Sequence, residues 1–423
     1  MKNSIISGLL AATLALGAYA QSGTNSPYSQ YALGILSDQS QGFNRGMNGV
    51  GLGLRMGDIV NTLNPASYSA IDSLTMIFDV GLSGQITNFK EGGKSINANN
   101  ANFEYAVGVF RALPHLGISF GVLPLTNIGY SYSGSTYLNS TLGSVPSSFS
   151  GSGGLHQLFI GAGWNPVKPL SVGVNMAYIW GNYTKTASST GTTMVNSLSK
   201  SYTASVSSLH LEFGAQWEQR LDRFNTLTLG ATMSLKHKLG ADPECTITNI
   251  NSATAVTDTT TQVVKNGLQL PMTMGVGMAW NYRQRLTVAA DVIMQQWGDL
   301  SFPAYDDDKK IYALRDGLLK NRTKVNFGVD YIPNPTDPRH FFNHVHYRLG
   351  AGFATPYYII NGQDGPKEFS LSGGFGVPVG RSMLNISGQW THSSATNLIT
   401  ENTFRINIGL TFNERWFAKW RVD

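Results

Sequence analysis

Two patterns divide the chain. From Leu74 to Phe412, apolar and polar positions alternate with a period of two, the sign of strands with one apolar and one polar face. In Leu170 to Gly181, Leu170, Val172, Val174, Met176, Tyr178 and Trp180 share one face, opposite Ser171, Gly173, Asn175, Ala177 and Gly181. The same split sets Leu227, Leu229, Ala231, Met233 and Leu235 against Thr226, Thr228, Gly230, Thr232 and Ser234. It also sets Phe404, Ile406, Ile408, Leu410 and Phe412 against Arg405, Asn407, Gly409 and Thr411. Before Leu74 the pattern is absent. Gly42 to Ala66 holds six glycines, ends on Asn64-Pro65-Ala66 and has no apolar period of either kind.

The alternation predicts fourteen strands, over 74–87, 100–111, 115–130, 154–164, 169–184, 203–217, 225–238, 267–281, 285–297, 322–332, 343–356, 366–377, 382–393 and 402–413. A soluble sandwich would also alternate, so the connections decide. Short gaps (112–114, 165–168, 218–224, 282–284 and 378–381) alternate with long ones (131–153, 185–202, 239–266 and 298–321). An even strand number with short inner turns and long outer loops describes a membrane β-barrel. The one long inner turn is Pro333 to Phe342. Trp164, Trp180, Trp217, Trp280, Trp297 and Trp390 fall near strand ends, as interfacial aromatic girdles do.

Composition sharpens this. Charged residues are 13% of the chain, about half the ~25% of soluble domains. After the N-terminus no segment approaches the ~20 apolar residues of a membrane helix, so a closed barrel is the membrane solution left. The start, with Lys2, an apolar run from Ile5 to Leu16 and Ala18-Tyr19-Ala20, reads as a cleavable secretory signal over 1–20. The lone Cys245 allows no internal disulfide. The net charge of +5 is dispersed, without the basic stripe that nucleic-acid binding needs, so no nucleic-acid partner is expected. The expected layout is a signal (1–20), an N-terminal hatch inside the lumen (21–73), an all-β transmembrane barrel (74–413) and a periplasmic tail (414–423).

The hatch-like N-terminus, Asn64-Pro65-Ala66 before the first strand, the run Leu116 to Thr126 with its internal Pro124, and fourteen strands together resemble the FadL/TodX outer-membrane transport family. The opening Ser26 to Gly34 and the tail with Trp416, Phe417 and Trp420 resemble Bacteroidota versions. The resemblance implies a bacterial outer-membrane location, a hatch within the barrel, and passage of long-chain fatty acids or aromatic hydrocarbons with lateral exit at a kinked third strand. Pro124 suits such a kink, because proline cannot donate to a ladder. The resemblance also leaves a second reading open. Bacteroidota relatives such as the shuttle protein of type IX secretion hold protein partners with the same barrel, so fold alone does not settle function.

Candidate residues follow. Leu33, Leu52, Leu54, Phe110, Leu123 and Pro124 are the candidates for a ligand path, and Ile35 and Leu36 add apolar surface. In the hatch, Arg45, Asn48, Arg55 and Asp58 are placed to bond inward wall groups, beside Asn64, Pro65 and Ala66. The inward face of the wall carries Asp79, Glu104, Glu212, Asp291, Lys324, Asp330, His344, His346, Arg348 and Arg405, and Arg405 is expected to face Asp79 where the barrel closes. Such charges on the lipid face would cost several kcal/mol. His344 and His346 are too few for a metal site, and no cofactor is implied. Neither a nucleophile elbow nor an H-E-x-x-H helix is expected, and the reading is not an enzyme. The expected function is passive uptake of hydrophobic or amphipathic small molecules with lateral release. The expected partners are outer-membrane lipid and lipopolysaccharide and the small molecule; Asp306 to Lys310 reads as a solvated loop, with a divalent ion or lipopolysaccharide as the alternative. The alternative is a non-transporting scaffold for envelope proteins in secretion or outer-membrane assembly.

Overall fold

The computed structural model describes residues 23–139, 143–192, 195–336 and 339–415. The expected signal and Trp416, Phe417 and Trp420 lie outside the described residues. Fourteen antiparallel strands close into a barrel: β1 (Thr75–Glu91), β2 (Lys94–Leu113), β3 (Leu116–Asn139), β4 (Gly143–Val167), β5 (Leu170–Ser189), β6 (Ser197–Arg220), β7 (Asn225–Ser234), β8 (Thr273–Tyr282), β9 (Leu286–Gln295), β10 (Arg322–Tyr331), β11 (His346–Ala354), β12 (Lys367–Val379), β13 (Ser382–Ser394) and β14 (Thr400–Arg415). Closure comes from β14 against β1, whose ladder runs from Thr75–Arg415 to Lys90–Thr400.

The period of two separates lipid from lumen. Leu82, Ile86, Val174, Met176, Leu211, Met278, Phe327, Ile406 and Ile408 are exposed on the outer face, while Asn175, Gln216, Asn326 and Asn407 are buried inside. Trp164, Trp217 and Trp390 stay exposed, and Trp180 stacks between His156 and Tyr178. Trp297 differs from its expected place in the girdle. It is buried in the upper lumen, its ring centroid 4.6 Å from that of Tyr357.

Several strands outrun their apolar alternation. β3 continues to Asn139 and β4 begins at Gly143, through a stretch expected to be loop. Serine, threonine and tyrosine, with good strand pairing and β-propensity, sustain the ladder there, and only β4 keeps a short buried face at Val145 and Ser147. The expected loop 239–266 contains a hairpin, Glu244–Ile250 with Thr257–Val263, that pairs with Ser197–Thr203 of β6.

The N-terminal segment from Gly23 to Ser73 fills the lumen. Phe43, Met47, Val50, Leu54 and Ile59 pack with Ala279 and Ala289 of the wall. Val60, Tyr68 and Ile71 pack with Ile77, Tyr105, Val107, Val109, Leu123 and Phe159. Wall glycines allow this approach. Gly117, Gly163, Gly173 and Gly214 pair in one row across β3 to β6, and the 3-10 turn Pro65–Ala70 lies on that row. A side chain at Gly117 would overlap the Tyr68 carbonyl oxygen, and one at Gly173 the Pro65 backbone. Gly230 makes the same room for the Leu52 carbonyl and Gly350 for the backbone of Met47.

Candidate functional site: a split in the wall and the segment that fills it

The ladder between β2 and β3 stops early. Its pairs run from Leu113–Leu116 only to Ala106–Val122, although β2 continues to Lys94 and β3 to Asn139. Above Val122 each strand keeps its other neighbour, β1 for β2 and β4 for β3. Pro124 stands two residues past the last pair, and the β3–β4 register shifts between Pro124 and Thr126. A residue without an N–H and an inserted Leu125 turn β3 away from β2. The bend passes into β4, where Gly154 has φ 149° and a side chain would strike the Thr126 carbonyl. Outward apolar residues give way to polar ones near Phe103 on β2 and near His156 and Trp180 beside Pro124, so the split opens at the upper rim of the lipid-facing band.

The chain's own N-terminal segment occupies the split. Ile35 and Leu36 pair antiparallel with Asn127 and Thr126, and the Ser37 N–H donates to the Leu125 carbonyl at 3.0 Å. The Ser29 hydroxyl donates to the Gly129 carbonyl and accepts from its N–H, at 3.2 and 3.1 Å. Gln39 donates to the Pro124 carbonyl at 2.8 Å. On the β2 side the contacts are side-chain bonds, Asn102 to the Gly23 carbonyl at 3.0 Å and Asn25 to the Asn100 side chain at 3.1 Å. Above, Tyr28, Tyr31, Tyr130, Tyr132, Phe149, Trp297, Tyr357 and Tyr358 form an aromatic cap, and Tyr357 donates its hydroxyl to the Gly34 carbonyl.

Below this segment, charged groups fasten the hatch to the wall. Arg45 is buried, donating to Glu104 and Asn407 at 2.9 Å each. Glu104 and Tyr105 both point inward because a bulge skips Glu104 in the β1–β2 register. Tyr105 donates to Asp79 at 3.1 Å and accepts the Gly42 N–H at 2.6 Å. Asp291 accepts the Gly51 and Leu52 N–H groups at 2.6 and 3.0 Å. Arg348 donates to Asp330 at 3.0 Å and Asn385 at 2.6 Å, and its guanidinium lies 4.0 Å over the Phe43 ring. Asn48, at φ 56°, donates to Asn326 and accepts from Gln389. Arg55 ties Ala66 and Ser69 to Glu218 of β6. Asn64 caps the 3-10 turn at Ala66 and donates to Leu52 and to Ala215. For Asp38, burial works to raise the carboxyl, but Lys324, Arg45 and the Ser40 bonds together hold it well below the usual carboxylate range.

The expected site residues divide on this map. Leu33 lies in the upper cluster, Leu54 among the hatch residues and Leu123 in the lower wall cluster, each at 2% exposure or less. Leu52 is equally buried, against Gly230 and Gly277. They do not line one passage. Phe110 pairs with Ile118 on the face opposite the buried Val109, so it faces outward. Glu212 meets Asn175 at 3.4 Å. Arg405 points inward but meets Gln85 at 2.7 Å, and its expected partner Asp79 lies opposite Thr411 instead. Both cross-strand pairs belong to one ladder, six residues apart, which alternation cannot register. His344 ends a 3-10 turn while His346 begins β11 and meets Asp330, so the two are not one strand face. The letters Gly117-Ile118-Ser119-Phe120-Gly121 do satisfy G-x-S-x-G, against the expectation that no such elbow occurs. They lie within a strand rather than a strand-to-helix turn, and the buried Ser119 hydroxyl donates to the Gly108 carbonyl. Sequence reasoning missed Tyr105, Gln216 and Ser29. Gln216 donates to both the Leu52 and Leu54 carbonyls at 3.0 Å.

A family model described as BamG matches residues 1–423. The chain belongs to the BamG family. No curated protein matches the sequence. Among solved structures, this BamG-family barrel is similar to the CymD monoaromatic hydrocarbon channel, at TM-score 0.58 and 15% identity over 92% of this chain and 99% of that one. It is similar to the Ralstonia pickettii toluene transporter TbuX, at TM-score 0.61 and 15% identity over 90% and 99%. A Pseudomonas aeruginosa FadL homologue aligns at TM-score 0.62 and 10% identity over 89% and 99%. At such low identity the superpositions establish the fold: the BamG-family protein is a FadL-type closed β-barrel.

Proposed function

We propose that this barrel takes up hydrophobic or amphipathic small molecules at its outer mouth and releases them sideways into the membrane, without catalysis. The observation that carries this reading is the split between β2 and β3 above Val122, which, among the described residues, the segment 23–39 fills. The structural neighbours named as hydrocarbon channels and a toluene transporter lend it support. Passage requires the segment carrying Tyr28, Ile35 and Leu36 to leave the split, and its bonds to β2 are few and made by side chains. The hatch below, held by Arg45, Asn48, Arg55, Asn64 and Pro65-Ala66, stays in place and directs the molecule sideways. On this proposal the opening Ser26 to Gly34 serves as the seal.

A second reading is favoured by the packed lumen. Three apolar clusters, the uppermost of them the aromatic cap, pack the interior, and two open clefts of about 600 and 420 Å³ lie at the Lys90–Lys94 hairpin and beside Asn182–Ser205. That suits a scaffold which holds envelope proteins. Native mass spectrometry of protein extracted gently from its own membrane separates the two. Uptake predicts a small hydrophobic adduct on a lone barrel. A stoichiometric protein companion on a barrel without adduct would replace uptake with the scaffold.

A further inference from the structure

We propose that the upper edge of β3, from Tyr130 to Tyr137, receives an extended segment of a second, cell-surface polypeptide as an added strand. This goes beyond small-molecule uptake and holds whichever reading of the lumen is correct. β3 bonds to β4 along nearly its whole length, but its other edge meets three partners in turn going upward. β2 covers it to Val122, Leu36 and Ile35 cover Thr126 and Asn127, and the Ser29 hydroxyl accepts the Gly129 N–H and shares its proton between the Gly129 and Ser26 carbonyls. By the two-residue period, the main-chain groups of Ser131, Ser133, Ser135 and Tyr137 point to the same side as those of Gly129. Among the described residues no strand pairs with them.

Exposed edges are normally blunted by charge, proline or cover. Tyr130 to Tyr137, YSYSGSTY, carries neither charge nor proline, and Ser131, Ser133, Ser135 and Tyr137 are exposed. The chain's own Ile35–Leu36 strand shows that this edge accepts a strand from inside the split, and an incoming one would continue that ladder upward. Its inner side chains would meet the Tyr132–Phe149 stack, whose centroids are 5.1 Å apart, and its outer ones would pass small serines. The fitting partner is therefore uncharged, with aromatic or aliphatic residues alternating with small ones, and bound chiefly through its backbone.

The test places a photo-crosslinking residue in turn at Ser131, Ser133 and Ser135 of the full chain in its native outer membrane. The expected result is a crosslink series to alternate residues of one segment of one other polypeptide, in a single direction. Ser133→Pro removes a donor only from the open side, so the yield at Ser135 should fall about tenfold while heat-modifiable barrel migration is unchanged. Ser135→Lys should weaken the series at Ser131 in the same way, in case the proline variant fails to fold. Crosslinks no more frequent than at the lipid-facing Leu209, scattered over unrelated segments, formed only with a second copy, or indifferent to both variants would overturn the proposal.

Discussion

Glu104 and Tyr105 are neighbours in β2, yet both side chains point into the lumen. A regular strand would send one of them to lipid. The bulge gives the hatch two anchors at one level, a carboxylate for Arg45 and a hydroxyl that links Gly42 to Asp79.

Glu104→Gln removes the carboxylate bonded to the buried Arg45 guanidinium and leaves it only the more distant charge of Asp38. Breaking one partner of a buried pair costs about 3 kcal/mol. Denaturant unfolding in detergent should show a lower midpoint, with Arg45→Met/Glu104→Gln recovering part of the loss. Equal midpoints for wild type and Glu104→Gln would show that the pair does not hold the hatch.

Gly173→Ala should drive Pro65 off the wall, since the added methyl group meets the Pro65 backbone, whereas Gly84→Ala, with nothing within 4 Å, should be silent. Limited proteolysis after Arg45 or Arg55 reads this directly. Faster cleavage is expected in Gly173→Ala alone. Unchanged protection would mean that the 3-10 turn can shift without releasing the hatch.

Asp38 gives a pH dependence with a definite sign. Its folded carboxyl lies below its unfolded value, so its stabilisation is present above the unfolded pKa and is lost as pH falls through the folded one. The stability difference between wild type and Asp38→Asn should stay level from about pH 8 to about pH 5 and shrink below about pH 4. A difference that grows on acidification would reverse the assignment.

Arg348→Lys keeps the charge but loses the fork that spans Asp330 and Asn385 and the flat contact with Phe43. A loss of about 2 kcal/mol is expected in the same unfolding measurement, with the barrel still formed. Unfolding indistinguishable from wild type would assign the anchoring to Asp291 and Gln216 instead.

The barrel was legible because lipid on one side and a polar lumen on the other impose alternation on every strand. All fourteen expected strands are present, and Pro124 marked the bend. Register was not legible, so Arg405 was matched to Asp79 when its partner is Gln85. Neither was the bulge at Glu104, which local sequence does not announce, nor the outward face of Phe110 that follows from it. The seal was hidden for another reason. Ser26 to Leu36 is short and follows neither the strand nor the helix period, and its place beside β3 is set by contacts a hundred residues away, such as Ser29 with Gly129. The glycine row reads from sequence only as small inward residues; its role appears once Pro65 and Tyr68 lie against it.

On the proposed function, residues 23–39 seal the split through which a hydrophobic molecule leaves. The register partners Ile35 and Asn127 allow a direct measurement. In a Cys245→Ser background, Ile35→Cys/Asn127→Cys should join the seal to β3 under oxidation. Uptake of a labelled long-chain fatty acid or toluene should fall at least about tenfold when the bond forms and return on reduction, since the exit is then locked. Uptake that is the same in both redox states, with the bond verified, would show that the molecule does not leave through this split.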